Sequence, residues 1–206
     1  MLFRSRVIVY IAVKEVSDIM DYNDVNKYVE KVIESNSFLV DNIIPDFITA
    51  SDLKYLLTCL VREKVSVKNI VYIFEKINDY ANEPTKEDLL DKVRLALSRH
   101  IVKDLAKDGE LKVIEFSDEI LDRVYSFFKE DEEEAIIRID SCEVQDIASR
   151  LMKIAKAKKI TSPVIAVPMD IRHMVFVILS EFVQDLTVLA HEELVSDYNI
   201  KFIGKI

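Results

Sequence analysis

The chain has 206 residues, half of them hydrophobic and 32% charged, with a formal net charge of −9. That composition can bury a sizeable core in one large or two small domains, and it lacks the excess of Lys and Arg that neutralising nucleic-acid phosphate requires. Gly109 and Gly204 are the only glycines, so GxGxxG and GxxxxGK[ST] phosphate loops and the GxSxG nucleophile elbow are all excluded.

Val7–Val13 is the longest apolar run near the start, at about seven residues against the ~20 of a membrane span. Arg4 and Arg6 precede it, but no small-residue cleavage site follows, so it reads as a β-strand rather than a signal peptide. A short helix is expected over Lys14–Met20. Asn23 or Asp24 is placed to cap a helix reaching about Glu34, with Val25, Tyr28, Val29 and Ile33 on one face. Phe38–Ile44 is a short apolar segment ended by Pro45.

Three amphipathic helices follow in close succession. Thr49 and Asp52 have capping-box spacing, and Leu53, Leu56, Leu57, Leu60 and Val61 form the first stripe. Ser66 is the expected cap of the second, whose face is Ile70, Ile73, Phe74 and Ile77. Thr85 caps the third, with Asp88 reciprocating, and Leu90, Val93, Leu97, Ile101 and Leu105 make its stripe. At Gly109 the pattern changes. Strands are expected at Leu111–Phe116, Ala135–Ile139, Pro163–Val167, Leu186–Ala190 and Asn199–Ile203. Helices are expected from Ser117 to Phe128, from Asp140 to about Lys156, and over Ile171–Phe182. Lys129–Glu134 reads as a solvated acidic turn. The basic residues at 156–159 suit a helix C-terminus, where the dipole favours cations. Alternating strands and helices argue for an α/β subdomain, so the chain is expected to be mixed α+β: a helical subdomain over 46–108, then a small α/β subdomain over 109–206.

No constellation carries chemistry. Cys59 and Cys142 lie in apolar, helix-like settings and read as reduced core thiols. His100 reads as a helix-surface residue. His191 precedes Glu192 and Glu193, but a zinc site needs a third placed ligand and HExxH is absent. The carboxylates at 131–134 form a charge run. The expectation is no enzyme, no catalytic residue, no cofactor and no metal.

The helical run LLTCLVREKVSVKNIVYIFEKINDYANEPTKEDLLDKVRLALSRHI resembles a segment of the type III secretion export-gate family. Glu63, Val65, Ser66, Val67, Lys68 and Ile70 match the family's E-x-V-S-I-R-x-I turn and helix. Val93, Arg94, Ala96, Leu97, Arg99 and Ile101 match its V-R-x-A-L-x-R-x-I helix. The C-terminal block is similar to its last subdomain, through Pro163, Val164, Ile171, Arg172, Val188, Leu189, Glu193, Leu194, Ile200, Gly204 and Ile206. The two blocks stand in the family's order and, with the segment between them, cover roughly residues 24–206. Two departures are clear: Phe176 or Val177 stands where the second arginine of the family's I-R-x-x-V-R belongs, and EEEAIIRIDS lacks the family's glycine before a strand.

This resemblance implies that residues 1–45 are the remnant of a preceding α/β subdomain plus a connecting helix. It implies the C-terminal part of the cytoplasmic domain of a bacterial inner-membrane export component, attached through a transmembrane region absent from this chain. The domain would form a nine-subunit ring that docks chaperone–substrate complexes and a gatekeeper protein. An injectisome, and hence virulence, is preferred to a flagellum. The ring is expected to use complementary charges at head-to-tail interfaces, with Arg94, Arg99, Lys68, Glu63 and Asp88 as candidate interface residues. Arg94 or Arg99 paired within the chain to Asp91 or Asp104 is the alternative. An α/β ligand-binding or regulatory domain with a helical appendage, or a simple adaptor, is the competing interpretation.

Overall fold

A computed structural model describes residues 19–127 and 141–206. The strands expected at Val7–Val13 and Ala135–Ile139, the acidic turn at 129–134, Asp140 and most of Lys14–Met20 lie outside these residues. The chain divides into two compact units, a helical one ending at Leu105 and an α/β one resuming at Ala106.

The helical unit contains α1 (Tyr22–Asn36), α2 (Phe38–Asp41), α3 (Ala50–Arg62), α4 (Ile70–Tyr80) and α5 (Lys86–Leu105). The cap of α1 is Asp21, two residues before Asn23 and three before Asp24, the two expected positions. Asp24 instead occupies the third helical position and completes a capping box. The buried side chains of α1 are Val25 and Val32, while Ile33 is 45% exposed. The expected stripe was therefore rotated, because Val32 rather than Ile33 points inward. The Thr49–Asp52 capping box of α3 is present in both directions. Thr85 caps α5 by accepting from the Asp88 backbone N–H at 3.0 Å, and its hydroxyl donates to the Asp88 carboxylate at 2.6 Å. Ser66 does not cap α4, which starts at Ile70 behind Asn69. The chain needs residues 66–69 to leave the end of α3.

Those caps set the ends; apolar faces set the packing. α1 packs on α2, α3 and α4, and α5 packs on α3 and α4. Leu53, Leu56, Leu57, Leu60, Ile70, Ile73, Phe74, Ile77, Leu90 and Val93 are all buried, each contributing about 1.5–3 kcal/mol of burial. Asn78 ties α4 to α2: its amide donates to the Leu39 carbonyl at 2.8 Å and to the Phe74 carbonyl at 3.0 Å. Its side-chain oxygen accepts from Asn42 at 2.9 Å. Tyr55, buried in α3, lies under the Lys86 ammonium at 4.3 Å. Burial, then Cys59 and Glu87, push its phenol well above the ordinary value.

The α/β unit contains β1 (Glu110–Glu115), α6 (Asp118–Phe127), α7 (Ser141–Ala157), β2 (Val164–Val167), α8 (Met169–Ser180), β3 (Thr187–Ala190) and β4 (Asn199–Lys205). The sheet order is β3-β2-β1-β4, and every pairing is parallel. β2 and β3 are buried at every position, as parallel strands read when both faces are covered. Residues of α6, α7 and α8 share one core with Ile114, Phe116, Ile165, Val167 and Val188. The register of β1 with β4 shifts between Val113 and Ile114, so that Gly204 stands beside Ile114. Asp146 on α7 receives Arg123 of α6 and Arg150, each at 3.1 Å.

The Arg123 hydrogen bond first, and Arg150 with it, hold the Asp146 carboxyl below the usual carboxylate range. A depressed folded pKa means that its contribution is present above the unfolded value, about 4. That contribution is lost as pH falls through the folded value. Asp146→Asn is therefore expected to flatten the acid limb of the stability curve, read as Tm between neutral pH and pH ~3.

The scarcity of glycine leaves its mark at helix ends. Lys64 (φ 60) follows α3 and Lys159 (φ 55) follows α7, both in the left-handed region. Each sits inside a paired closure. The Val65 N–H reaches the Leu60 carbonyl at 2.8 Å and the Lys64 N–H the Val61 carbonyl at 3.0 Å. The Ile160 N–H reaches Ala155 at 2.8 Å and the Lys159 N–H reaches Lys156 at 3.1 Å. This is the Schellman geometry that glycine normally supplies. Lys64→Gly and Lys159→Gly are each expected to stabilise the chain by roughly 1 kcal/mol, seen as a raised Tm.

Candidate functional site

The strand order reverses beside β1, and ligands bind outside the carboxyl ends of strands at such a switch point. Here the Ile206 N–H donates to the Glu115 carbonyl at 3.0 Å, and the Ile206 carbonyl accepts from Ser117 at 2.7 Å. Ile206 is buried, and these two bonds carry the β1–β4 pairing one residue past Lys205. Among the described residues no three His, Cys, Asp or Glu side chains group as a metal site. His100 and His191 are exposed. Cys59 is buried, as expected for a core thiol, but Cys142 is exposed in the first turn of α7. The apolar face of α7 runs through Val144, Ile147, Ala148, Leu151 and Ala155, and Cys142 points away from it.

What remains is charge on helices. Of the five residues expected at an interface, the structure brings two together inside the helical unit. Arg94 Nη1 stands 2.8 Å from Glu63 Oε2, with the side chains 1% and 3% exposed. Both residues match family motifs and are expected from sequence at a subunit interface. They are buried because Glu63, at the C-cap of α3, turns toward the face of α5 that also carries Leu90, Val93 and Leu97. Arg94 is thus paired within the chain, with Glu63 as its partner across α3 and α5.

Lys68, Asp88 and Arg99 are exposed. Asp88 and Arg99 are eleven positions apart on α5, which brings them back to one face about 16 Å apart. Lys92 and Lys103 fall on the same stripe at helical spacing from Arg99, with Lys103 exposed and Lys92 half-buried. Neither lysine stands in a family motif, although both have helical spacing from Arg99. The stripe is acidic at its N-terminal end and basic along the rest, a pattern that gives the face a direction.

Comparison with known proteins gives this surface a context. The sequence profile of the FHIPEP family matches residues 5–199. The flagellar biosynthesis protein FlhA of Bacillus subtilis (strain 168) is 28% identical over 200 residues, covering 91% of this chain and 28% of FlhA. Protein MxiA of Shigella flexneri is 28% identical over 166 residues, covering 77% of this chain and 24% of MxiA. The solved structure of MxiA matches the fold with a TM-score of 0.79 at 24% identity, over 90% of this chain and 59% of that one. The nonameric EPEC SctV-C matches with a TM-score of 0.77 at 21% identity, over 90% and 57%. The chain spans about a quarter of the length of the curated relatives it matches.

Proposed function

We propose, from the fact that this chain belongs to the FHIPEP family of type III secretion export-gate proteins, that it is part of the cytoplasmic domain of such a gate. In this reading it contributes to a ring platform at the cytoplasmic face of the bacterial inner membrane. The platform receives chaperone–substrate complexes and a gatekeeper protein for export. The observation that carries the reading is the family match across residues 5–199. The nonameric state of SctV-C supports the ring. Among the described residues no helix is long and apolar enough to cross a membrane, so anchoring falls to a region outside them. Identity is 28% to both FlhA and MxiA, and the proposal therefore covers the flagellar and injectisome branches alike.

Within the ring we assign the neighbour-facing role to Lys68, Asp88 and Arg99, with Lys92 and Lys103 on the same stripe. A ring interface is heterologous, so one subunit's charged face meets a different face of the next. The test is sedimentation of the full-length protein and of its Arg99→Glu and Lys68→Glu variants. The parent is expected to form closed rings, and each reversal to weaken association by roughly tenfold. Unchanged association in both variants removes the interface assignment. A full-length protein with no multi-span apolar region and no self-association removes the export-gate reading itself.

A further inference from the structure

Between Asp146 and Asp170 the sequence holds no carboxylate, in a chain that has 37 of them. In the same stretch, the C-terminal part of α7 and the turn beyond it expose Arg150, Lys153, Lys156, Lys158 and Lys159. Arg150 is engaged by Asp146 at 3.1 Å. None of the four lysines lies within ion-pair distance of a carboxylate among the described residues. The helix dipole accounts for a cation or two in a last turn. It does not account for four, two of which lie beyond Ala157, the last residue of α7. Met152 is 43% exposed beside them. It shares the outward side of α7 with Lys153 and Lys156, since Met152 and Lys156 are four apart and Lys153 and Lys156 three apart.

We propose that this patch is a docking site for an acidic segment of a partner protein. Carboxylates of the segment pair with Lys153, Lys156, Lys158 and Lys159, and an apolar side chain rests on Met152. The net charge decides for a segment over an extended anionic surface. A bilayer or a nucleic acid meets the field of the whole chain, and the formal charge of −9 opposes the attraction of the patch. A short segment meets the patch alone, because screening cuts off the remaining charge beyond about 8 Å at physiological salt. Met152 to Lys159 spans about 10 Å, the reach of three or four extended residues. This inference does not depend on the export-gate reading.

The experiment uses fluorescence anisotropy with a labelled glutamate-rich peptide carrying a central leucine, and its glutamine counterpart as control. The intact chain is expected to bind the first and not the second. Joint substitution of Lys153, Lys156, Lys158 and Lys159 by Gln is expected to weaken binding roughly tenfold or more. Met152→Ser is expected to weaken it a few-fold. Replacing Lys31, Lys107, Lys112 and Lys201 instead, all exposed and outside both proposed surfaces, is expected to change nothing, and unchanged thermal melts of both sets confirm folding. Equal losses in the two sets overturn the proposal, because attraction would then be non-local. Tighter binding to phosphatidylserine vesicles than to the peptide also overturns it, in favour of a membrane contact.

Discussion

Arg94→Met is expected to destabilise the chain by about 3–5 kcal/mol, because it strands the Glu63 carboxylate in the interior. Glu63→Leu is expected to cost a similar amount by stranding the guanidinium. The pair stands at 2.8 Å with both side chains almost fully buried, so solvent does little to soften either loss. The double variant Arg94→Met/Glu63→Leu is expected to recover most of the stability, since apolar replacement of a whole buried pair is often neutral or better. Urea unfolding of the four proteins measures the cycle, and the coupling is the quantity to read. Additive losses would show that the two side chains act independently. The double variant also separates fold from assembly. If Arg94 faced a neighbouring subunit, the double variant would fold and fail to associate. The burial predicts that it folds and associates like the parent.

That pair shows what the sequence could and could not disclose. Helical stripes and two of the caps were legible, because periodicity and Thr-x-x-Asp spacing are local signals. Thr49–Asp52 and Thr85–Asp88 appear as expected. Helix α7 and the four strands of the sheet were legible to within two or three residues at each described end. Which charged residue turns inward was not legible, because that depends on where the C-terminus of α3 meets α5. The motif residues Arg94, Glu63, Arg172 and Glu193 carry the family resemblance, yet all four are buried. Glu193 Oε2 accepts the Ala190 backbone N–H at 2.8 Å, closing a short 3-10 turn, His191–Glu193, after β3. These motif residues hold the fold rather than a docking surface. The residues proposed for contact with neighbours are less distinctive in sequence: Lys68, Asp88 and Arg99 differ from other surface charges only by position. The exposure of Cys142 was missed for the same reason, since an apolar neighbourhood in sequence does not fix which way one residue in a helix points.

Gly204→Val is expected to cost about 1–3 kcal/mol by overpacking, and the loss should be partly relieved by Ile154→Ala. A Cβ built at Gly204 lies 2.9 Å from Ile154 Cγ2 and 3.1 Å from its Cδ1. The conformation of Gly204 is ordinary, so the constraint is space rather than backbone strain. It arises from the register shift in the β1–β4 pairing, which sets Gly204 opposite Ile114. Ile154 is partly buried against the core of the α/β unit. A methyl group at Gly204 must therefore move α7 away from β4 or turn Ile154 out of its place. Ile154→Ala alone removes buried apolar surface and also destabilises. In the double variant the added valine occupies the space vacated by isoleucine, so the two losses are expected to sum to less than their separate values. Thermal denaturation of both singles and the double reads that coupling. A fully additive cycle would mean that the glycine serves something other than the close approach of α7. This is a demand that two glycines in 206 residues make easy to isolate. One of them, Gly109 at φ 76, answers to backbone conformation; the other answers to the closeness of a helix.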